Sequence, residues 1–314
     1  MTAPEQRIVP HLWYDREARE AAEFYTSIFP DSDITHLTTL HGTPSGDVEV
    51  VSFRLRGQPF MAISAGPHFT FNPSVSFMVN YDPLHFDPSP SREENARTSL
   101  DAAWAQLSEG GTVLMPIGEY PFSARYGWIQ DRYGLSWQLI LTDPGGEPRP
   151  PILPSLLLTG ENCGRAEEAI DHYLSVFRDA RQGQLFRYGA DQPPDTEGTV
   201  MFADFMLEHT WFAAMDSAHG HGFTFNEAVS FIVNCDDQDR IDRYWNALSA
   251  VPEAEQCGWI KDRFGVSWQI VPAEMDRMMR DGTPEQIDRL TRTFMPMKKL
   301  DVAALRAAYE GEGG

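Results

Sequence analysis

The chain is short of cysteine, of long apolar runs and of positive charge. Its three cysteines, Cys163, Cys235 and Cys257, are odd in number and far apart. That argues against a disulfide framework and makes the cytoplasm the expected compartment. No apolar run approaches the ~20 residues of a membrane-spanning helix, so no membrane partner is expected. Residues Met1 to Arg7 lack the basic and apolar blocks of a secretory signal. Lys and Arg number 25 against 46 Asp and Glu, a net charge of −21. A surface of that sign repels phosphate backbones, so nucleic acid is not an expected partner either.

What the chain does have is one long stretch twice. Phe69 to Asp82 returns as Phe223 to Asp236 with ten of fourteen positions identical, and Tyr126 to Gln138 returns as Cys257 to Gln269 with nine of thirteen. A repeat spaced this widely is domain-sized, and 314 residues suit two domains of roughly 150. The expected division is a first domain over 1–142, a linker rich in Pro and Gly over 143–151, a second domain over 152–273 and a helical tail over 274–314. The two halves are expected to pack as a dimer does inside one chain, and a further homodimer stays open.

Within the first half, Ile8 to Tyr14 reads as a strand with Val9, His11 and Trp13 on one face and Ile8, Leu12 and Tyr14 on the other. Asp15 is the expected cap of a helix carrying Ala18, Ala21, Ala22, Tyr25, Ile28 and Phe29, which Pro30 stops. A β-rich stretch, a flexible loop over Gly42 to Asp47 and a hairpin around Gly57-Gln58 follow. This gives β-α-β-β-β, and the same order restarts at Val75, Ile152 and Val229. The signature copies are 154 residues apart and the Trp-hairpin copies 131, so the first half carries 23 extra residues. They fall in Pro83 to Arg92 and Pro116 to Arg125 and read as loops. In the tail, Thr283-Pro284-Glu285-Gln286 has the pattern of a capping box and Asp301 that of a cap. Met295, Met297 and Leu300 are expected to dock the tail on a domain surface.

Pro10 to Tyr14, Ala21 to Tyr25, Phe69 to Asn72, Gly127 to Gly134, Ser136-Trp137-Gln138, their copies, and Met297 to Asp301 resemble, as a set, the PhnB-like proteins. That family carries the name 3-demethylubiquinone-9 3-methyltransferase. It lies within the vicinal oxygen chelate superfamily of glyoxalase I, bleomycin-resistance proteins and extradiol dioxygenases. The resemblance implies an α+β fold of two tandem glyoxalase-like domains built from four βαβββ modules, whose strands curve into half-barrel cups.

Catalytic members of the superfamily hold a divalent metal in the cup through His and Glu, because imidazole and carboxylate bind first-row metals while open positions polarise a substrate. The positions matching the last Glu ligand are Gln138 and Gln269, and Phe60 to Ser64 supplies neither Glu nor His. His11 alone sits where a first-strand ligand is expected, and Ser155 replaces it in the second half. No cofactor is therefore expected, with a divalent metal the minor alternative. His68 and His219-Gly220-His221 read as solvated loops. No Gly-rich turn after a strand supports a methyl donor, Ser76 and Ser136 lack the His and Asp of an activated nucleophile, and Asp131-Arg132 and Asp262-Arg263 read as turn chemistry.

The expected cup walls are His11, Trp13, Phe71, Asn72, Ser76, Trp128, Ser136 and Gln138 in the first half. In the second they are Phe225, Asn226, Ser230, Trp259, Ser267 and Gln269. Apolar walls with a few fixed polar groups suit a small, partly apolar ligand held without metal. An enzyme, either a metal-dependent lyase or dioxygenase or the methyltransferase of the family name, is the alternative. The first half, with His11 and the long loops, is the expected functional half.

Overall fold

A computed structural model of the chain describes residues 7–86, 89–143, 145 and 147–311. The first module is β1 (Ile8–Tyr14), α1 (Ala18–Ile28), β2 (Asp33–Thr43), β3 (Gly46–Leu55) and β4 (Gln58–Ser64). The second is β5 (Val75–Tyr81), α2 (Arg92–Ser108), β6 (Thr112–Tyr120), β7 (Ser123–Gln130) and β8 (Ser136–Leu141). The third is β9 (Ile152–Leu158), α3 (Ala166–Val176), β10 (Arg181–Arg187), β11 (Val200–Leu207) and β12 (Thr210–Asp216). The fourth is shorter: β13 (Val229–Cys235), α4 (Gln238–Leu248), β14 (Trp259–Lys261) and β15 (Ser267–Pro272). The tail forms α5 (Glu274–Asp281), α6 (Pro284–Phe294) and α7 (Val302–Glu310). No helix among the described residues is long and apolar enough to cross a membrane.

The α+β, four-module glyoxalase-like architecture is the one expected, with one strand fewer in the fourth module. Several local expectations are corrected. Asp15 does not cap α1; the Ala18 N–H donates instead to Ser64 Oγ, 3.2 Å away on β4. Gly42 to Asp47 is no loop: β2 runs to Thr43 and β3 starts at Gly46, leaving a two-residue turn. The β3–β4 turn is Arg56-Gly57, both at positive φ, the conformation that matches the twist of a two-residue hairpin. Pro116 to Arg125 is hairpin, not loop, because β6 and β7 extend through it to a tip at residues 121–122. Pro83–His85 is a short 3-10 helix capped by Asp82, and residues 87–88 of that segment lie outside the described residues. The capping box at Thr283 and Gln286 and the Asp301 cap form as read.

Strand pairing joins modules across the halves. One sheet has the order β14-β15-β13-β1-β4-β3-β2 and the other β10-β11-β12-β9-β5-β8-β7-β6. The seams are antiparallel, β1 against β13 and β5 against β9. Each sheet thus takes one module from 1–142 and one from 152–273. Core packing joins modules the other way. Phe60 of β4 meets Phe77 of β5 at 5.2 Å, and Phe212 of β12 meets Phe231 of β13 at 5.1 Å. These contacts lie on the helix-covered faces, where α1–α4 and both sheets form one continuous core.

The repeated Asp-Arg turns lock these layers. Asp131 accepts from the Tyr133 and Leu135 N–H groups, from Trp137 Nε1 at 2.8 Å and from Tyr25 Oη at 2.8 Å. Asp262 repeats this with Phe264, Val266, Trp268 and Tyr173. The backbone bonds are the turn chemistry anticipated; the Tyr bonds tie each turn to a helix of the opposite sheet. Burial raises both carboxyl pKa values, while the four donors of each favour its charged form.

Candidate functional site

The face of each sheet turned away from α1–α4 forms the cup of the half-barrel. In the first cup, alternation along β1 presents His11 and Trp13, and register sets His11 opposite Met61 of β4 and Ser230 of β13. Ser230 Oγ lies 3.5 Å from His11 Nδ1 and accepts from Gln269 Nε2 at 3.0 Å. The Trp259 ring packs edge-on against both His11, at 5.5 Å, and Trp13, at 6.2 Å. Trp13 Nε1 donates to the Gly66 carbonyl. Burial lowers the His11 pKa to about 3, so its imidazole is neutral at physiological pH.

In the second cup Ser155 of β9 stands in the place of His11, opposite Ser76 of β5 and Ala213 of β12. Tyr126 Oη donates to Gln138 Oε1 at 2.7 Å, and Gln138 Nε2 donates to Ser76 Oγ at 2.7 Å. Trp128 Nε1 donates to Ser136 Oγ at 2.7 Å. The floor around this chain is apolar: Met78, Leu153, Trp211 and Ala213, with Ile140, Phe202 and Met206 beside them. The β6–β7 tip adds an aromatic rim, with Phe122 packed on Tyr126 at 5.0 Å and on Tyr120 at 5.7 Å. At the far end Arg149 stacks over Trp211 at 3.9 Å and is paired with Asp204 at 2.7 Å.

Four expected wall residues lie elsewhere. Phe71 and Phe225 are buried in the helix-side core, where Phe71 meets Tyr14 at 4.9 Å. Asn72 Nδ2 donates to the Thr224 carbonyl and Asn226 Nδ2 to the Thr70 carbonyl. Each Asn also accepts from the N–H two residues on, so the pair clasps the two signature loops together. The other ten sit on the concave faces, split between two cups. His11, Trp13, Ser230, Trp259, Ser267 and Gln269 share the first; Ser76, Trp128, Ser136 and Gln138 share the second. The first half is therefore not one site, since His11 belongs to one cup and the long β6–β7 hairpin to the other. Tyr126 was missed, although its spacing of two from Trp128 places it on the same face.

The first cup is bridged by the tail. Met278, Leu290, Phe294, Leu300 and Leu305 form a separate apolar cluster, joined by Leu40 of β2, Val271 of β15 and Cys257. Leu40 and Cys257 lie on opposite edges of the sheet, and α1 and α4 already cover its other face. The Cys257 and Gly258 N–H groups donate to the Met297 and Lys298 carbonyls at 2.7 and 2.8 Å. There the tail takes the edge that β6 fills in the second cup. A hollow of about 300 Å³ remains where α5 and α6 pass β2, and one of about 370 Å³ lies by Tyr14, Glu17, Arg132 and Tyr133. Neither reaches the hydroxyl and amide groups at the cup centres.

The fold family implies a metal, and the donor sets do not fit one. The cup centres offer His11, Met61, Ser230 and Gln269, and Ser155, Ala213, Ser76 and Gln138. One imidazole is the sole strong ligand, and both amides already donate within the protein. No three His, Cys, Asp or Glu side chains come together as a metal site among the described residues.

The model of the family described as 3-demethylubiquinone-9 3-methyltransferase matches residues 6–140 and again 151–271. The chain belongs to that family. Several solved structures are similar to part or most of the chain. The PhnB protein from Bacillus cereus is 34% identical over 44% of this chain and 100% of its own, with a TM-score of 0.36. A protein from Staphylococcus aureus is 27% identical over 46% and 100%, with a TM-score of 0.17. Glyoxalase I from Zea mays is 14% identical over 86% and 93%, with a TM-score of 0.47. No curated protein matches.

Proposed function

We propose that this protein binds a small, partly apolar molecule in a half-barrel cup whose central polar groups are neutral, without a catalytic metal. The observation that carries the reading is the Tyr126–Gln138–Ser76 chain set over an apolar floor. An amide fixed at both ends orients a ligand but does not ligate a divalent cation. The amide also stands where the superfamily's enzymes keep a carboxylate, which weighs against a metal-dependent lyase or dioxygenase.

A thermal-shift series on the full chain tests this, with uncharged aromatic compounds in one arm and Ni, Zn, Mn, Fe and S-adenosylmethionine in the other. A ligand selective for the folded state stabilises it by about 2.7 kcal/mol at a hundred times its Kd. The expected result is a saturable rise in Tm from a compound in the first arm, unchanged by chelator. Stabilisation by a metal, abolished by chelator, or by the methyl donor alone, favours the enzyme reading instead.

A further inference from the structure

We propose that the ligand cup is the second one, and that the Ser155 and Ser76 hydroxyls receive an oxygen of an uncharged aromatic molecule there. This rests on the ligand-cup reading above and narrows it to one sheet and one ligand class.

Ser155 carries most of the weight. It is fully buried, and its Oγ has no hydrogen-bond partner among the described residues. It shares the concave face with Leu153 and Leu157, since Ile152, Leu156 and Leu158 point into the helix-side core. A hydroxyl buried without a partner costs stability, and an oxygen of a bound molecule at the cup centre would satisfy it. Its neighbour Ser76 accepts from Gln138 and so keeps its own O–H free to donate. Two donors side by side on an apolar floor fit one carbonyl or hydroxyl oxygen.

The walls set the rest of the ligand. Tyr126, Trp128 and the Tyr120–Phe122 tip offer ring faces and edges, and Met78 and Met206 offer polarisable thioethers, all suited to a flat aromatic ring. The two cations stacked on Trp211 at the cup's end are already paired, Arg149 with Asp204 and Glu147 and Arg181 with Glu147. With a net charge of −21 around it, the cup disfavours an anion. The first cup also has an unpartnered hydroxyl, Ser267, but the tail cluster bridges its mouth from Leu40 to Cys257.

The test is fluorescence titration of the full chain with 2-naphthol, with naphthalene and naphthalene-2-sulfonate as controls. One saturable 2-naphthol site is expected, with the sulfonate weaker. Ser155→Ala is expected to weaken 2-naphthol by about tenfold, the worth of one hydrogen bond, and naphthalene by less. The same variant is expected to raise Tm, because it deletes an unpaired hydroxyl; Tyr126→Phe, which frees Gln138, provides a second variant. Binding kept in Ser155→Ala and Tyr126→Phe but lost in His11→Ala overturns the assignment to the second cup and leaves the ligand-cup reading standing. No saturable binding of 2-naphthol or naphthalene overturns both.

Discussion

The two cups are built from the same repeat and finished differently. In the second, β6 completes the sheet beside β7, Tyr126 engages Gln138, and Ser155 sits at the centre. In the first, the matching strand is missing, Cys257 replaces Tyr126, and His11 replaces Ser155. These changes belong together. Without a strand beside β14, the Cys257 and Gly258 N–H groups would face solvent; the tail supplies the Met297 and Lys298 carbonyls, and its apolar cluster reaches from there to Leu40 on the opposite edge. Duplication thus leaves one cup closed by its own chain and one rimmed by an aromatic hairpin.

The sharpest break of this comparison is at the tail. Leu290 is fully buried in the tail cluster, so Leu290→Ala is expected to cost about 2–5 kcal/mol in denaturant unfolding. Cys257 is the reporter, since its Sγ donates to the Met295 carbonyl under the tail. Thiol labelling resolved by mass spectrometry should speed up at Cys257 and stay slow at Cys235, which is buried in the main core. Labelling of Cys257 at the wild-type rate in that variant would mean that the tail does not seal the first cup.

The modules were legible because each repeats its own periodicity: alternating strands, an Ala-rich helix stripe, and turns demanding Asp and Gly. Which module edges pair was not. A repeat shows that Phe69 to Asp82 and Phe223 to Asp236 are alike; it does not show that β1 seeks β13 and not β5. That pairing is what separates His11 from the β6–β7 hairpin. Asn72 and Asn226 were misplaced for a related reason. An Asn beside a strand suits a cup wall as well as a clasp, and the Thr224 and Thr70 carbonyls that decide it lie about 150 residues away in sequence. The tail's caps were readable locally, while its bridging role depends on a strand missing elsewhere.

Next in size is the pH response of the first cup. His11 has a folded pKa of about 3 against 6.5 when free, so the unfolded chain binds the extra proton. The stability it contributes is complete above pH 6.5 and falls as pH drops towards 3, by up to about 1.4 kcal/mol per pH unit. His11→Gln should flatten that part of the stability profile. The second cup has Ser155 at this position, so Ser155→Ala should leave the slope unchanged. An equal acid slope in wild type and His11→Gln would show that His11 is not the dry, neutral imidazole of the closed cup.

The smallest effect separates the cups by sign. Ser136 Oγ accepts from Trp128 Nε1, whereas in the first cup the Trp259 ring lies against His11 and Trp13, and Ser267 Oγ has no partner among the described residues. Removing a bonded hydroxyl leaves a half-buried indole N–H without its partner, so Ser136→Ala should lose about 1 kcal/mol. Removing an unpaired one relieves its desolvation, so Ser267→Ala should gain up to about 1 kcal/mol. Paired denaturation curves check both. A loss of equal size in the two variants would mean that Ser267 finds a partner in solution, and that the tryptophans of the two cups are oriented alike.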